Sequence, residues 1–146
     1  MITMSRMFEA GTFNQDISDW DISSVMWMDS MLSNAQNFNQ NISTWDTSNV
    51  SWMSYMFSDA QSFNQDISVW DVSNIEGMDY MFHNAKSFDQ DLSSWNPVKI
   101  TTAPTNFATN SGIESKSDFH PDWEQSSSAH ISGISQTNEI TIDWIT

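Results

Sequence analysis

The chain repeats itself every 25 residues, and this period constrains its fold more than any other feature. A fixed period of a few tens of residues is typical of solenoid proteins, in which each repeat forms one coil stacked on the next. The sequence therefore predicts a stack of coils that presents a surface rather than a catalytic pocket. The clearest rows at this spacing are Trp20, Trp45, Trp70, Trp95; Phe13, Phe38, Phe63, Phe88; and Gln15, Gln40, Gln65, Gln90.

Each repeat contains two hydrophobic patterns, as its third copy illustrates. Trp70 and Val72 alternate around Asp71, which predicts a short strand with Trp70 pointing inward and Asp71 outward. Apolar residues then follow at spacings of three and four over residues 75–85, which predicts a short helix. The expected fold class is an α/β repeat solenoid with one short parallel strand and one short helix in each 25-residue coil.

Both ends of the array depart from the pattern. Residues 1–8 match the helix stripe of an incomplete first coil, and Pro97 marks the last or nearly the last strand because proline cannot donate to a sheet ladder. We expect a solenoid of roughly four repeats at residues 1–113, a C-terminal cap at 114–123 and a polar tail at 124–146. Within the tail, residues 140–145 alternate as a terminal strand would.

The net charge of −15 limits the partners that the chain can bind. Nucleic acid and anionic membrane surfaces are not expected, because both require lysine and arginine. Cations and basic proteins are what such a field attracts. Cysteine is absent, which excludes disulfides and thiolate zinc sites, and no apolar run is long enough to span a bilayer.

Three aspartates, Asp21, Asp46 and Asp71, form a row at the repeat spacing. Stacked coils would place them about 4.8 Å apart, where like charges repel. One interpretation is an acidic stripe that binds a basic partner or a cation, with calcium as a weaker alternative because one carboxylate per coil is few for that ion. The other is that each aspartate accepts hydrogen bonds from serine or asparagine in adjacent turns.

Aromatic and amide side chains form the remaining rows. Trp27 with Trp52, and Tyr55 with Tyr80, are expected to face outward from the predicted helices, either as a patch for a partner or as rings that cover one another. The asparagine and glutamine rows are expected to satisfy backbone groups that a tight coil leaves unpaired. The three histidines show no ligand spacing, so we predict no catalytic residue, no metal site and no cofactor.

The full repeat unit resembles a known family. Residues 63–67 read Phe-Asn-Gln-Asp-Ile, and residues 70–74 read Trp-Asp-Val-Ser-Asn. Together with Met56-Phe57 and Ala60, these are similar to the BspA-type leucine-rich repeats of bacterial surface proteins, first described in mycoplasmas as a domain of unknown function. The resemblance implies a leucine-rich-repeat-like fold, an extracellular or cell-surface location and a role in adhesion or protein binding, and it supplies no catalytic residues.

Two functional hypotheses follow. The first is a non-enzymatic module that binds a basic or cell-surface protein through its acidic face or its aromatic flank. The alternative is a module that binds glycans through Trp27 and Trp52, or a structural spacer. Because the first coil lacks its strand, we also expect an open edge near Trp20 and weak self-association through the N-terminal coil.

Overall fold

The computed structural model describes residues 1–124, in which little of the chain is regular secondary structure. Strand β1 spans Ile2–Thr3, strand β2 spans Val25–Trp27, and a 3-10 helix spans Ser117–Phe119. The two strands pair in parallel. Isolated parallel bridges continue this pairing from Trp27 to Trp52 and from Trp52 to Gly77. The positions that pair across repeats therefore recur every 25 residues.

Backbone hydrogen bonds join each repeat to the next. The N–H groups of Met28 and Leu32 donate to the carbonyls of Trp52 and Met56 at 2.9 and 3.0 Å. The same connection recurs one copy later, where Phe57 donates to Met81 at 2.9 Å. Successive copies are thus stacked in register, with each donor bonded to a carbonyl in the following copy.

The segment predicted to be a helix is a run of β-turns. Alternate N–H groups bond three residues back, as Met31 does to Met28 and Ala35 does to Leu32, at 3.2 and 3.1 Å. The third residue of each such turn has a positive φ, 56° at Ser30 and 60° at Asn34, as a type II turn requires. No α-helix is present in residues 1–124, so the predicted helix per coil is wrong.

The position of the predicted strand is wrong as well. Residues 67–75 form turns, since Trp70 donates to the Ile67 carbonyl and Ile75 to the Val72 carbonyl, both at 3.1 Å. The bridged positions lie instead within and just before the segments expected to be helical. The fold class of one strand and one helix per coil is therefore contradicted. A turn every four residues explains the error, because it brings apolar side chains to one side at almost the helical period.

The core consists of stacked rows of identical side chains. The rings of Phe38 and Phe63 stack with centroids 6.0 Å apart, and those of Trp45 and Trp70 with centroids 6.2 Å apart. Each buried tryptophan also donates its indole N–H to an isoleucine carbonyl of the preceding copy, as Trp70 does to Ile42 at 3.0 Å. The prediction that Trp45 and Trp70 point inward while Asp46 and Asp71 point outward is confirmed.

The two ends of the described chain differ. Residues 1–10 bond to the next copy, for example from the Phe8 N–H to the Met31 carbonyl at 2.9 Å. At the other end, the Trp123 ring meets the edge of Phe107 at 4.8 Å, and Leu92 donates to the Phe119 carbonyl at 2.8 Å. No helix in residues 1–124 is long and apolar enough to cross a bilayer. The strand predicted at residues 140–145 lies outside the described residues.

Candidate functional site

The predicted aspartate row is exposed, and each of its carboxylates is held by a local turn. Asp21, Asp46 and Asp71 accept hydrogen bonds from the serine two residues later, through its hydroxyl at 2.7, 2.6 and 2.6 Å and also through its backbone N–H. Bonds from the Ser23 hydroxyl and backbone lower the pKa of Asp21, and those from Ser48 lower the pKa of Asp46. The expected bonding to serines in adjacent turns is confirmed.

A second acidic row was missed by the sequence analysis. Asp16, Asp66 and Asp91 each accept a hydrogen bond from the backbone N–H of a serine two residues later, at 2.9 Å. Bonds from these serines lower the pKa of all three carboxyls. The recurring Asp-x-Ser spacing was the available signal, since aspartate commonly forms such turns. The two rows give the stacked copies a regular array of ionised carboxylates.

The amide row is structural, as predicted. Asn14 accepts the backbone N–H of Asn39 at 2.9 Å, and its side-chain oxygen also accepts the Gln40 amide at 3.0 Å. The same pair of bonds recurs one copy later, from Asn64 and Gln65 to Asn39 at 2.9 and 3.0 Å. These side chains tie adjacent copies together.

The four predicted aromatic residues lie on the outside of the stack, and we call them the aromatic face: Trp27, Trp52, Tyr55 and Tyr80. Trp27 and Trp52 are bridge partners and remain 36% and 39% exposed. The rings of Tyr55 and Tyr80 stack with centroids 4.8 Å apart, and Tyr55 is 43% exposed. The rings are carried by extended and turn backbone rather than by helices. The tyrosines therefore cover one another in part, while the tryptophans make no ring contact with each other in residues 1–124.

Gly77 explains how Trp52 is held. A Cβ atom at position 77 would lie 2.1 Å from the Cε3 and Cζ3 atoms of the Trp52 ring, far inside van der Waals contact. The indole thus occupies the space that a side chain would take in the next copy. Because the backbone beneath it is stacked and hydrogen-bonded, the exposed ring has a fixed support.

A groove of about 310 Å³ begins at Gly77 and was not predicted. Its walls are residues 76–79 and 99–105, including the hydroxyl side chains of Thr101 and Thr102. The Lys99 Nζ lies 3.6 Å from the Glu76 Oε2, and Asp79 accepts the Thr105 backbone N–H at 2.7 Å. Ala103 lines it at a position where earlier copies have a buried methionine, and this departure was the signal in the sequence.

The histidines do not form a site in the described chain. His83 packs its edge against Tyr80, and the His120 Nε2 bonds to the Ile113 carbonyl at 2.8 Å. His130 lies outside the described residues. Across residues 1–124, no three histidine or carboxylate side chains come together in an arrangement that could hold a metal ion.

Comparison with known proteins identifies a family without assigning a chemistry. The family described as "Mycoplasma protein of unknown function, DUF285" matches residues 2–120, which is most of the chain. No curated protein and no solved structure matches it. The stacked 25-residue copies lie within the matched range, so the chain belongs to the DUF285 family.

Proposed function

We propose that this chain is a non-enzymatic binding module of a bacterial surface or secreted protein, of the BspA-type leucine-rich-repeat kind. Its aromatic face binds a basic segment of a protein partner, and the rows of Asp21, Asp46 and Asp71 attract that segment. The module uses no cofactor, and calcium on the aspartate row remains the weaker alternative. Neither nucleic acid nor membrane insertion belongs to this function.

The observation that carries the proposal is the Trp52 ring resting on Gly77 while 39% exposed. Tryptophan and tyrosine are the side chains that dominate binding energy at protein interfaces. A ring already held in place loses little conformational entropy when a partner covers it. A basic partner gains further from a cation placed over the indole face.

The charge of the molecule supports the choice of partner. The chain carries −15, and the two acidic rows are ionised and exposed. Such a field raises the association rate of a basic partner and weakens as salt screens it. Salt dependence therefore separates a basic protein partner from a neutral ligand.

The groove beside Gly77 favours glycans as a second candidate. An exposed indole next to threonine hydroxyls and a carboxylate offers both a flat apolar surface and hydrogen-bonding groups, which is a combination suited to a sugar ring. Binding of this kind would be nearly independent of salt.

The test measures binding of two immobilised probe sets, peptides rich in lysine and arginine and a panel of neutral oligosaccharides. We expect a basic peptide to bind, to be weakened by salt, and to lose about tenfold or more in affinity in Trp52→Ala. Gly77→Ala should weaken binding similarly, because the added methyl displaces the ring without removing it. Val69→Ala, an exposed apolar change outside the aromatic face, is the matched control.

Equal peptide affinity in Trp52→Ala and Val69→Ala would contradict the proposal. Salt-independent binding of oligosaccharides that requires Trp52 would favour the glycan function. Circular dichroism and thermal melting of each variant show whether its fold is intact.

A further inference from the structure

The N-terminal end of the stack presents a set of groups that every later copy has paired. We call it the N-terminal face: the backbone carbonyls of Ser5, Met7 and Glu9, and the side chains of Met7, Gln15 and Trp20. Ser5, Met7 and Glu9 are equivalent to Asp29, Met31 and Ser33 of the next copy, to which residues 6, 8 and 10 donate.

The backbone acceptors of the face are free. The carbonyls of Asp29, Met31 and Ser33 accept N–H groups from the preceding copy at 2.9, 2.9 and 2.7 Å. Those of Ser5, Met7 and Glu9 accept no hydrogen bond within residues 1–124. The face therefore repeats the acceptor row by which one copy receives another.

Trp20 shows what the missing contact would supply. Its equivalents Trp45, Trp70 and Trp95 are at most 4% exposed, and each donates its indole N–H to an isoleucine carbonyl at 3.0–3.1 Å. Trp20 is 39% exposed, and its indole N–H has no acceptor within residues 1–124. The ring thus presents both an apolar surface and an unused donor.

Two further side chains follow the same comparison. Met7 is 46% exposed, whereas its equivalents Met31 and Met56 are fully buried. The Gln15 amide makes no hydrogen bond within the described residues, whereas the Gln40 amide donates to the Asn14 carbonyl and side chain at 3.2 and 3.0 Å. Backbone and side chains therefore lack the same neighbour.

The direction of the hydrogen bonds selects the occupant. Over the turn segments, N–H groups point toward the following copy and carbonyls toward the preceding one. Two N-terminal faces placed together would oppose carbonyl to carbonyl, so a second such face cannot complete the ladder. The occupant must bring a row of N–H donors at the same spacing, a carbonyl for Trp20 and an apolar underside. Residues 28–34 of this chain present that donor row to their own neighbour.

We infer that the N-terminal face docks a 25-residue coil of this same repeat class, carried on a second polypeptide and adding to the stack in parallel. This is pairing of an exposed edge by another chain, as in strand addition. It extends the chain's own copy-to-copy interface, and it lies apart from the aromatic face on which the proposed partner binds.

The test uses the full chain and a synthetic peptide of residues 25–49, the copy whose register would continue into Met1. The readout is the indole N–H signal of Trp20 in NMR spectra, assigned by its loss in Trp20→Phe. Excess peptide should shift this signal saturably and slow its hydrogen exchange at least tenfold. A peptide of the same composition in scrambled order should do neither.

A fusion supplies the reference for a seated coil. The same copy joined directly before Met1 should protect the Trp20 indole and block the effect of added peptide. In its control, the copies of Phe38 and Ile42 are serine. A Trp20 signal unchanged by the peptide would overturn the docking of a second polypeptide. If the fusion also leaves the signal unchanged, the face does not accept a coil at all.

Discussion

At the scale of single residues, the buried tryptophans contribute to the stack in two ways. Trp70 packs between Trp45 and Trp95 with centroids 6.2 and 6.5 Å away, and its indole N–H bonds to the Ile42 carbonyl. Removing the ring leaves a cavity and an unpaired buried carbonyl. The period alone predicted this role, because a residue repeated at one position of every coil meets its own copies when coils stack.

Trp70→Ala should lower the free energy of unfolding by about 3–5 kcal/mol, the range for deleting a large buried aromatic side chain. The middle copies have neighbours on both sides, so the site cannot relax by fraying. Trp52→Ala is the control of identical chemistry at an exposed position, and it should cost well below half as much. Urea unfolding measures both, and equal losses would show that Trp70 is not part of the core.

The Asp-x-Ser turns should make stability depend on pH in the acid range. The Ser48 hydroxyl and backbone lower the pKa of Asp46 below its ordinary value of 3.8. A carboxyl whose folded-state pKa is lowered adds stability above its unfolded pKa and loses that contribution as pH falls through the folded value.

Ser48→Ala removes the larger of the two bonds, so it should reduce the melting temperature at neutral pH. The difference from the parent chain should disappear by about pH 2, where Asp46 is protonated in both states. Thermal melts of the two proteins across this range make the comparison. A difference that stays constant with pH would assign the effect of Ser48 to something other than the carboxylate.

At the scale of elements, the sequence predicted which residues are buried but not the backbone that buries them. Ile75, Met78 and Phe82 are all buried, as their spacing indicated. That spacing suits both a helix of 3.6 residues per turn and β-turns recurring every four residues. The positive φ of 59° at Tyr80 decides for turns, and no rule of residue preference predicts a tyrosine in that conformation.

The aromatic face shows the same division. The outward direction of Trp52 and Tyr55 was predictable from the neighbouring core methionines. The support under the Trp52 ring depends on Gly77 lying one period later in a bridged position, and the groove beside it depends on how residues 99–105 depart from the repeat. Both arise from contacts between copies, which an incorrect backbone geometry does not reveal.

Ser30→Gly distinguishes the turn from the helix directly. Ser30 has a φ of 56°, so glycine at this position should relieve strain and raise stability by up to about 1 kcal/mol. In a helix the same change would lower stability by about as much. Ser30→Val should destabilise, because a β-branched side chain resists a positive φ. Denaturant unfolding of the two variants gives the answer, and a loss of stability in Ser30→Gly would contradict the turn.

At the scale of the whole molecule, stacking makes the two ends different while the copies between them are alike. The C-terminal end is covered by residues near Phe119 and Trp123, whereas the N-terminal face leaves Trp20 and Met7 exposed. The net charge of −15 works against contact between two copies of the chain. Association through the N-terminal face therefore depends on the balance between exposed apolar surface and long-range repulsion.

We predict weak self-association through apolar side chains of this face, and it should strengthen as salt screens the charge. Sedimentation velocity across a salt series measures it, with the fusion that covers the face as the control. A chain that stays monomeric at high salt and high concentration would show that residues 1–8 already seal the end.

The central claim is that the copies are joined by a ladder of turns rather than built from helices. NMR couplings across hydrogen bonds test it directly at Phe82, whose N–H bonds to the Phe107 carbonyl at 2.8 Å. We predict a coupling between the Phe82 amide nitrogen and the Phe107 carbonyl carbon, with non-helical carbon shifts over residues 75–85. A coupling from Phe82 to the Met78 carbonyl, four residues back, would contradict the account.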